Sequence, residues 1–133
     1  MSDASTSPAS SAFDGATRAL LEDVDITAQG FHRRNTLPFW LKLGEASEAL
    51  QRAALLEANA TSGPKYAAAW GRLVRPYPHL MEMDKASRSR AIWLYRNWHD
   101  VGPWLDTLPY ALRNKLASPS AIKSRYEAAQ RSP

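Results

Sequence analysis

The chain has 133 residues, which is enough for one domain with a hydrophobic core and too few for two ordinary domains. Hydrophobic residues make up 44% of it and charged residues 23%, a composition that argues against a wholly disordered chain. Because there is no cysteine, a disulfide framework, a thiolate metal site and a cysteine nucleophile are excluded. We therefore expect a protein of a reducing compartment, with the cytoplasm as its location.

The net charge of +4 is unevenly distributed along the chain. Residues 1–84 contain eight Lys and Arg against ten Asp and Glu, whereas residues 85–133 contain nine against three. The positive potential therefore belongs to the C-terminal part, and this is where the sequence predicts contact with an anionic partner.

A polar N-terminal arm precedes the predicted helices. Residues 1–13 are mostly Ser, Ala, Thr and Pro, and such a segment buries too little apolar surface to offset the entropy of ordering. We expect a disordered arm there, and a single helical domain over residues 14–133. No stretch resembles a signal peptide or a membrane span, so neither export nor membrane contact is expected.

Strand patterns are nearly absent, and proline repeatedly follows a capping residue, as is typical of the first turn of a helix. The sequence thus predicts an all-α fold, a compact bundle of five to six short helices. The Gly102-Pro103 pair is expected to end one of them. The predicted helices cover residues 16–26, 37–59, 64–75, 84–101, 108–116 and 119–130. The residues expected to cap helix starts include Asp14, Thr36, Asp84, Thr107 and Ser118.

Helical spacing also predicts which residues face the core. The two longest predicted helices carry the clearest apolar stripes. These are Phe39, Leu43, Ala46, Leu50 and Ala54 on the first, and Ala91, Leu94, Tyr95, Trp98 and Val101 on the second. On the last helix, Ile122, Tyr126 and Ala129 are expected to point inward.

The sequence offers few candidates for catalytic residues. The three histidines, His32, His79 and His99, lie far apart and in no metal-binding spacing, so surface positions are the favoured interpretation. There is no phosphate-binding glycine loop and no nucleophile elbow. We expect a non-enzymatic protein without a cofactor or metal. The remaining enzymatic possibility is a metal held by His79, Glu82 and Asp84.

Trp93 stands out because helical spacing places it opposite the apolar stripe of its helix, among basic and amide side chains. A large ring in that setting is typical of a contact surface that stacks a base or anchors a protein partner. The alternative is that an N-terminal helix packs over it.

Residues 107–131, TLPYALRNKLASPSAIKSRYEAAQR, contain two helix starts and resemble a helix-turn-helix in layout. A three-residue turn, Ala117-Ser118-Pro119, stands where many such motifs have a glycine. The alternative is a basic, solvated face that closes a bundle. The predicted nucleic-acid contacts are Arg113, Lys115, Ser120, Lys123, Ser124, Arg125, Gln130 and Arg131.

The last third of the chain also resembles the C-terminal part of small, mostly uncharacterised bacterial helical proteins. The resemblance implies a helical bacterial protein and carries no activity. Its matching positions are Arg88-Ser89-Arg90, Trp93, Trp98, Trp104, Leu108-Pro109, Arg113, Ser118-Pro119-Ser120 and Arg125.

Two functions remain open from the sequence. The leading hypothesis is a small cytoplasmic protein that binds nucleic acid, DNA rather than RNA, as a regulator or accessory factor of a mobile element. A homodimer would suit it, because helix-turn-helix proteins commonly bind paired half-sites. The alternative is a protein-interaction module, an inhibitor or adaptor. Its partner-binding residues would be Arg90, Trp93, Arg96 and Trp104.

Overall fold

A computed structural model describes residues 13–29 and 36–131, and all secondary structure in these ranges is helical. The all-α prediction is confirmed, with eight helices where five to six were expected. None of the described helices is long and apolar enough to cross a bilayer. The helices are α1 (Gly15–Gln29), α2 (Leu37–Ala58), α3 (Pro64–Val74), α4 (Pro78–Met81), α5 (Lys85–Arg96), α6 (Trp98–Asp106), α7 (Tyr110–Arg113) and α8 (Pro119–Arg131).

The predicted N-terminal arm lies outside the described residues except for its last member, as does His32. Phe13, which the sequence placed at the end of the arm, is buried in the hydrophobic core. Phe13 therefore belongs to the packed part of the chain and not to the arm.

Side-chain caps begin four of the helices where the sequence predicted them. Asp14 accepts the backbone N–H of Thr17 at 2.7 Å. Thr36, Asp84 and Ser118 do the same for the backbone N–H three residues further on, at 3.2–3.3 Å. Each cap gives a partner to an N–H group that has none within its helix.

Helices α2 and α5 form the centre of the fold, and each contributes to two hydrophobic clusters. The first cluster contains buried residues of α1 to α5, and the second contains buried residues of α5, α6 and α8 with partly buried residues of α2. At the crossing, a Cβ added to Gly44 would lie 2.1 Å from the carbonyl oxygen of Ala91. Only a glycine permits this approach of the two helices.

The predicted helix over 84–101 is two helices, because Asn97 ends one and begins the next. Its side-chain amide and its backbone N–H both donate to the carbonyl of Trp93, which closes α5. Its own carbonyl accepts the backbone N–H of Asp100 and of Val101, which opens α6. Pro103 then lies inside α6 rather than ending it, so the predicted stop at Gly102-Pro103 is wrong.

The predicted helix over 108–116 is also much shorter, since α7 has four residues. Pro109 adopts φ −57° and ψ 147°, so the helix begins only at Tyr110. Five residues, 114–118, then lead to α8, where a three-residue turn was expected. The first helix of the predicted helix-turn-helix is thus reduced to a single turn.

The predicted core stripes are largely confirmed. All five stripe residues of α2 are buried, as are Ala91, Leu94 and Val101, whereas Tyr95 and Trp98 are partly buried. On α8, Ile122 is buried and Tyr126 is partly buried. Ala129 is exposed, as is the whole last turn of α8, so the prediction that it points inward is wrong.

Candidate nucleic-acid interface

Helix α8 contacts the rest of the fold through a narrow stripe and leaves most of its surface free. Its buried residues are Pro119 and Ile122. None of its exposed predicted contact residues forms an ion pair or hydrogen bond to side chains in the described ranges. These are Ser120, Ser124, Arg125, Gln130 and Arg131.

Lys123 differs from the other predicted contacts on α8. Its side chain is 38% exposed and its ammonium lies 2.8 Å from Glu127, one turn further along the helix. The same ammonium lies 5.6 Å from the centre of the Trp93 ring. Lys123 is therefore engaged within the fold, because α5 and α8 meet at this point, and it is not the solvent-facing cation that helical spacing indicated.

Arg113 is the last residue of α7 and Lys115 lies just after this helix, and both are exposed. The Arg113 guanidinium lies 3.6 Å from Asp106, an exposed and therefore weak pair, and 5.9 Å from the centre of the Tyr110 ring. Lys115 forms no ion pair with the described residues. Tyr110 is 70% exposed, so a largely bare ring stands beside Arg113.

Trp93 and Trp104 lie against Tyr126, and we call these three residues the aromatic cluster. The ring centres are 6.1 Å apart for Trp93 and Tyr126 and 5.2 Å apart for Trp104 and Tyr126, both edge to face. Both tryptophans are partly buried. The helix that covers Trp93 is therefore α8, not the N-terminal helix considered from the sequence.

The two predicted partner-binding arginines differ in their surroundings. Arg96 forms an ion pair with Glu48 on α2, and Glu48 also binds Arg52 at 3.1 Å. Arg90 is exposed on α5 and forms no ion pair with the described residues. Of the two, Arg90 is the one whose charge no neighbouring carboxylate in the described ranges neutralises, so it is available to an external partner.

Sequence reasoning gave no role to Lys85 or Tyr110, and both are exposed. Lys85 forms no ion pair with a carboxylate in the described ranges. Residues 85–90 contain three basic residues and no acidic one. This local positive charge could have indicated that Lys85 and Arg90 belong with the cations of α8. No local pattern distinguishes Tyr110, since its exposure depends on how short α7 is.

Within the described residues, no three His, Asp or Glu side chains lie close enough together to hold a metal ion. Of the three residues considered for a metal, Asp84 caps α5 instead, with its second oxygen 2.7 Å from the Ser87 hydroxyl. The backbone N–H of His79 donates to Asp25.

Comparison of the chain with protein-family models, with curated proteins and with solved structures finds no match.

Proposed function

We propose that this protein binds nucleic acid, DNA rather than RNA, by contacting phosphates through its C-terminal segment, residues 85–131. The observation that carries the proposal is the number of exposed cations in this segment that no carboxylate neutralises. They are Lys85, Arg90, Lys115, Arg125 and Arg131. Unpaired arginines and lysines are the groups that neutralise phosphates and release counterions.

Charge balance supports the same reading. The segment contains nine Lys and Arg and three Asp and Glu, and each of these acids lies near a basic or histidine side chain of the segment itself. The five unpaired cations named above face solvent and are available to attract a polyanion. Ser120, Ser124 and Gln130 are exposed on α8 beside these cations and are the candidates for base edges.

The alternative, a protein-interaction module anchored by tryptophan, has less support. Trp93 and Trp104 pack on Tyr126, and Arg96 is paired with Glu48, so three of the four proposed anchors already have partners within the fold. The role in a mobile element, the cytoplasmic location and the homodimer belong to the proposal. The absence of cysteine fits a reducing compartment.

The test measures binding of labelled duplex and single-stranded DNA across a salt series. The variant is Arg125→Gln with Arg131→Gln, and the matched control is Lys65→Gln with Arg75→Gln, which removes the same charge from exposed, unpaired positions around α3. Wild-type affinity should fall steeply with salt. For duplex DNA, the slope of log affinity against log salt concentration should be shallower by about two in the α8 variant if each arginine contacts one phosphate.

The control variant should keep the wild-type slope. An equal loss of slope in both variants would show general attraction without a surface on α8. No DNA binding at low salt would refute the proposal and favour the protein-interaction module.

A further inference from the structure

A cleft between α2, α3 and α5 lies apart from α8, and of its lining residues only Lys85 is among the cations assigned to nucleic acid. It has a volume of about 220 Å³. Its lining includes the rings of Tyr66 and Trp70 and the cationic side chains of Lys85 and Arg88. No Asp or Glu is part of the lining.

Arg88 is held rigidly in this cleft. Its guanidinium lies 4.7 Å from the centre of the Trp70 ring, and one of its nitrogens donates to the carbonyl of Met83. No carboxylate in the described ranges forms an ion pair with it; burial lowers the pKa of its guanidinium, while the charge of Asp84 acts in the opposite direction. A partly desolvated cation with no carboxylate in direct contact favours a bound anion over solvent more strongly than an exposed one does.

Further hydrogen-bonding groups converge on the same space without partners in the described part of the chain. They are the Gln51 amide, the Tyr66 and Ser89 hydroxyls and the Lys85 ammonium. Burial raises the pKa of Tyr66, so its hydroxyl stays a neutral donor. The cleft thus combines two flat aromatic walls with several donors and two positive charges.

We propose that this cleft binds a small planar carboxylate, an aromatic or heteroaromatic acid. The ring of such a ligand matches the walls formed by Tyr66 and Trp70, and its carboxylate matches Lys85 and the free edge of Arg88. The volume is below the usual range for ligand pockets, about 300–1,000 Å³, which favours an acid with one or two rings over a dinucleotide or a peptide.

Titration with benzoate and with indole-3-carboxylate, followed by the tryptophan indole N–H signals in proton–nitrogen correlation spectra, tests the proposal. The Trp70 signal is assigned from Trp70→Phe. We expect both acids to shift it saturably. Benzamide, which lacks the charge, and cyclohexanecarboxylate, which lacks the flat ring, should each bind at least about tenfold more weakly, as expected for loss of one charge-assisted or stacking interaction.

The informative variant is Lys85→Gln, because Lys85 is exposed and its loss should leave the fold intact. It should weaken benzoate binding about tenfold. Lys65→Gln, on α3 but outside the lining, is the matched control and should bind benzoate as the wild type does. The proposal is overturned if neither acid shifts the Trp70 signal, if the two analogues bind equally well, or if inorganic phosphate competes as effectively as benzoate.

Discussion

Replacing Gly44 by alanine tests the contact at the centre of the fold. The added Cβ would lie 2.1 Å from the carbonyl oxygen of Ala91 and 2.8 Å from the Cβ of Tyr95. The first distance is 1.3 Å short of the 3.4 Å at which ordinary van der Waals contact begins. Because the obstacle is backbone, α2 and α5 must move apart to accept the methyl group.

The expected cost follows from two opposing effects. Overpacking of this kind costs about 3 kcal/mol, the upper end for small-to-large changes, because no flexible side chain can give way. Alanine recovers about 1 kcal/mol through its higher helix propensity. The net loss in the free energy of unfolding is therefore about 2 kcal/mol, which lowers Tm by about 8 °C for a domain of this size.

Thermal and urea unfolding followed by circular dichroism measure this change. The matched control is Gly71→Ala in α3, where a Cβ would meet nothing within 4 Å. There only helix propensity acts, and Tm should rise by about 4 °C. If Gly44→Ala raises Tm as Gly71→Ala does, α2 and α5 do not approach closely enough for a methyl group to force them apart.

Two carboxylates give further predictions. Asp25 accepts hydrogen bonds from the first backbone N–H groups of α4 at 2.8 and 3.0 Å. Asp25→Ala should therefore lower the free energy of unfolding, measured in urea, by about 2 kcal/mol. Asp23→Ala removes only an exposed ion pair and should lower it by less than about 0.5 kcal/mol. A similar loss in both would refute the role given to Asp25. Hydrogen bonds from the Ser87 side chain and backbone lower the pKa of Asp84 in the folded protein. The ionised carboxylate therefore contributes fully to the stability of the fold above the ordinary aspartate pKa. This contribution is lost as the pH falls through the lowered pKa of the folded state. The stability difference between wild type and Asp84→Asn should therefore shrink in acid, and a difference independent of pH would contradict this.

Features set by neighbours in sequence were predictable. The caps at Asp14, Thr36, Asp84 and Ser118 depend on residues three positions apart, and all four were recognised from their residue types and following residues. The stripe of α2 was equally clear, because a long helix packed on several neighbours repeats its apolar spacing over many turns.

Features set by distant contacts were not predictable. Lys123 was assigned to solvent because its own helix says nothing about Trp93, which lies 30 positions earlier in the chain. The role of Gly44 depends on Ala91 in another helix. In both cases tertiary contact overrides the local pattern.

The way α8 is attached has a consequence for its dynamics. It buries two residues, whereas α2 buries seven. A helix with so few buried contacts opens at a lower free energy than the helices at the centre, so α8 can detach and return while α2 and α5 remain packed. The helix that carries Arg125 and Arg131 can thus adjust its orientation to a ligand while the central helices keep their packing.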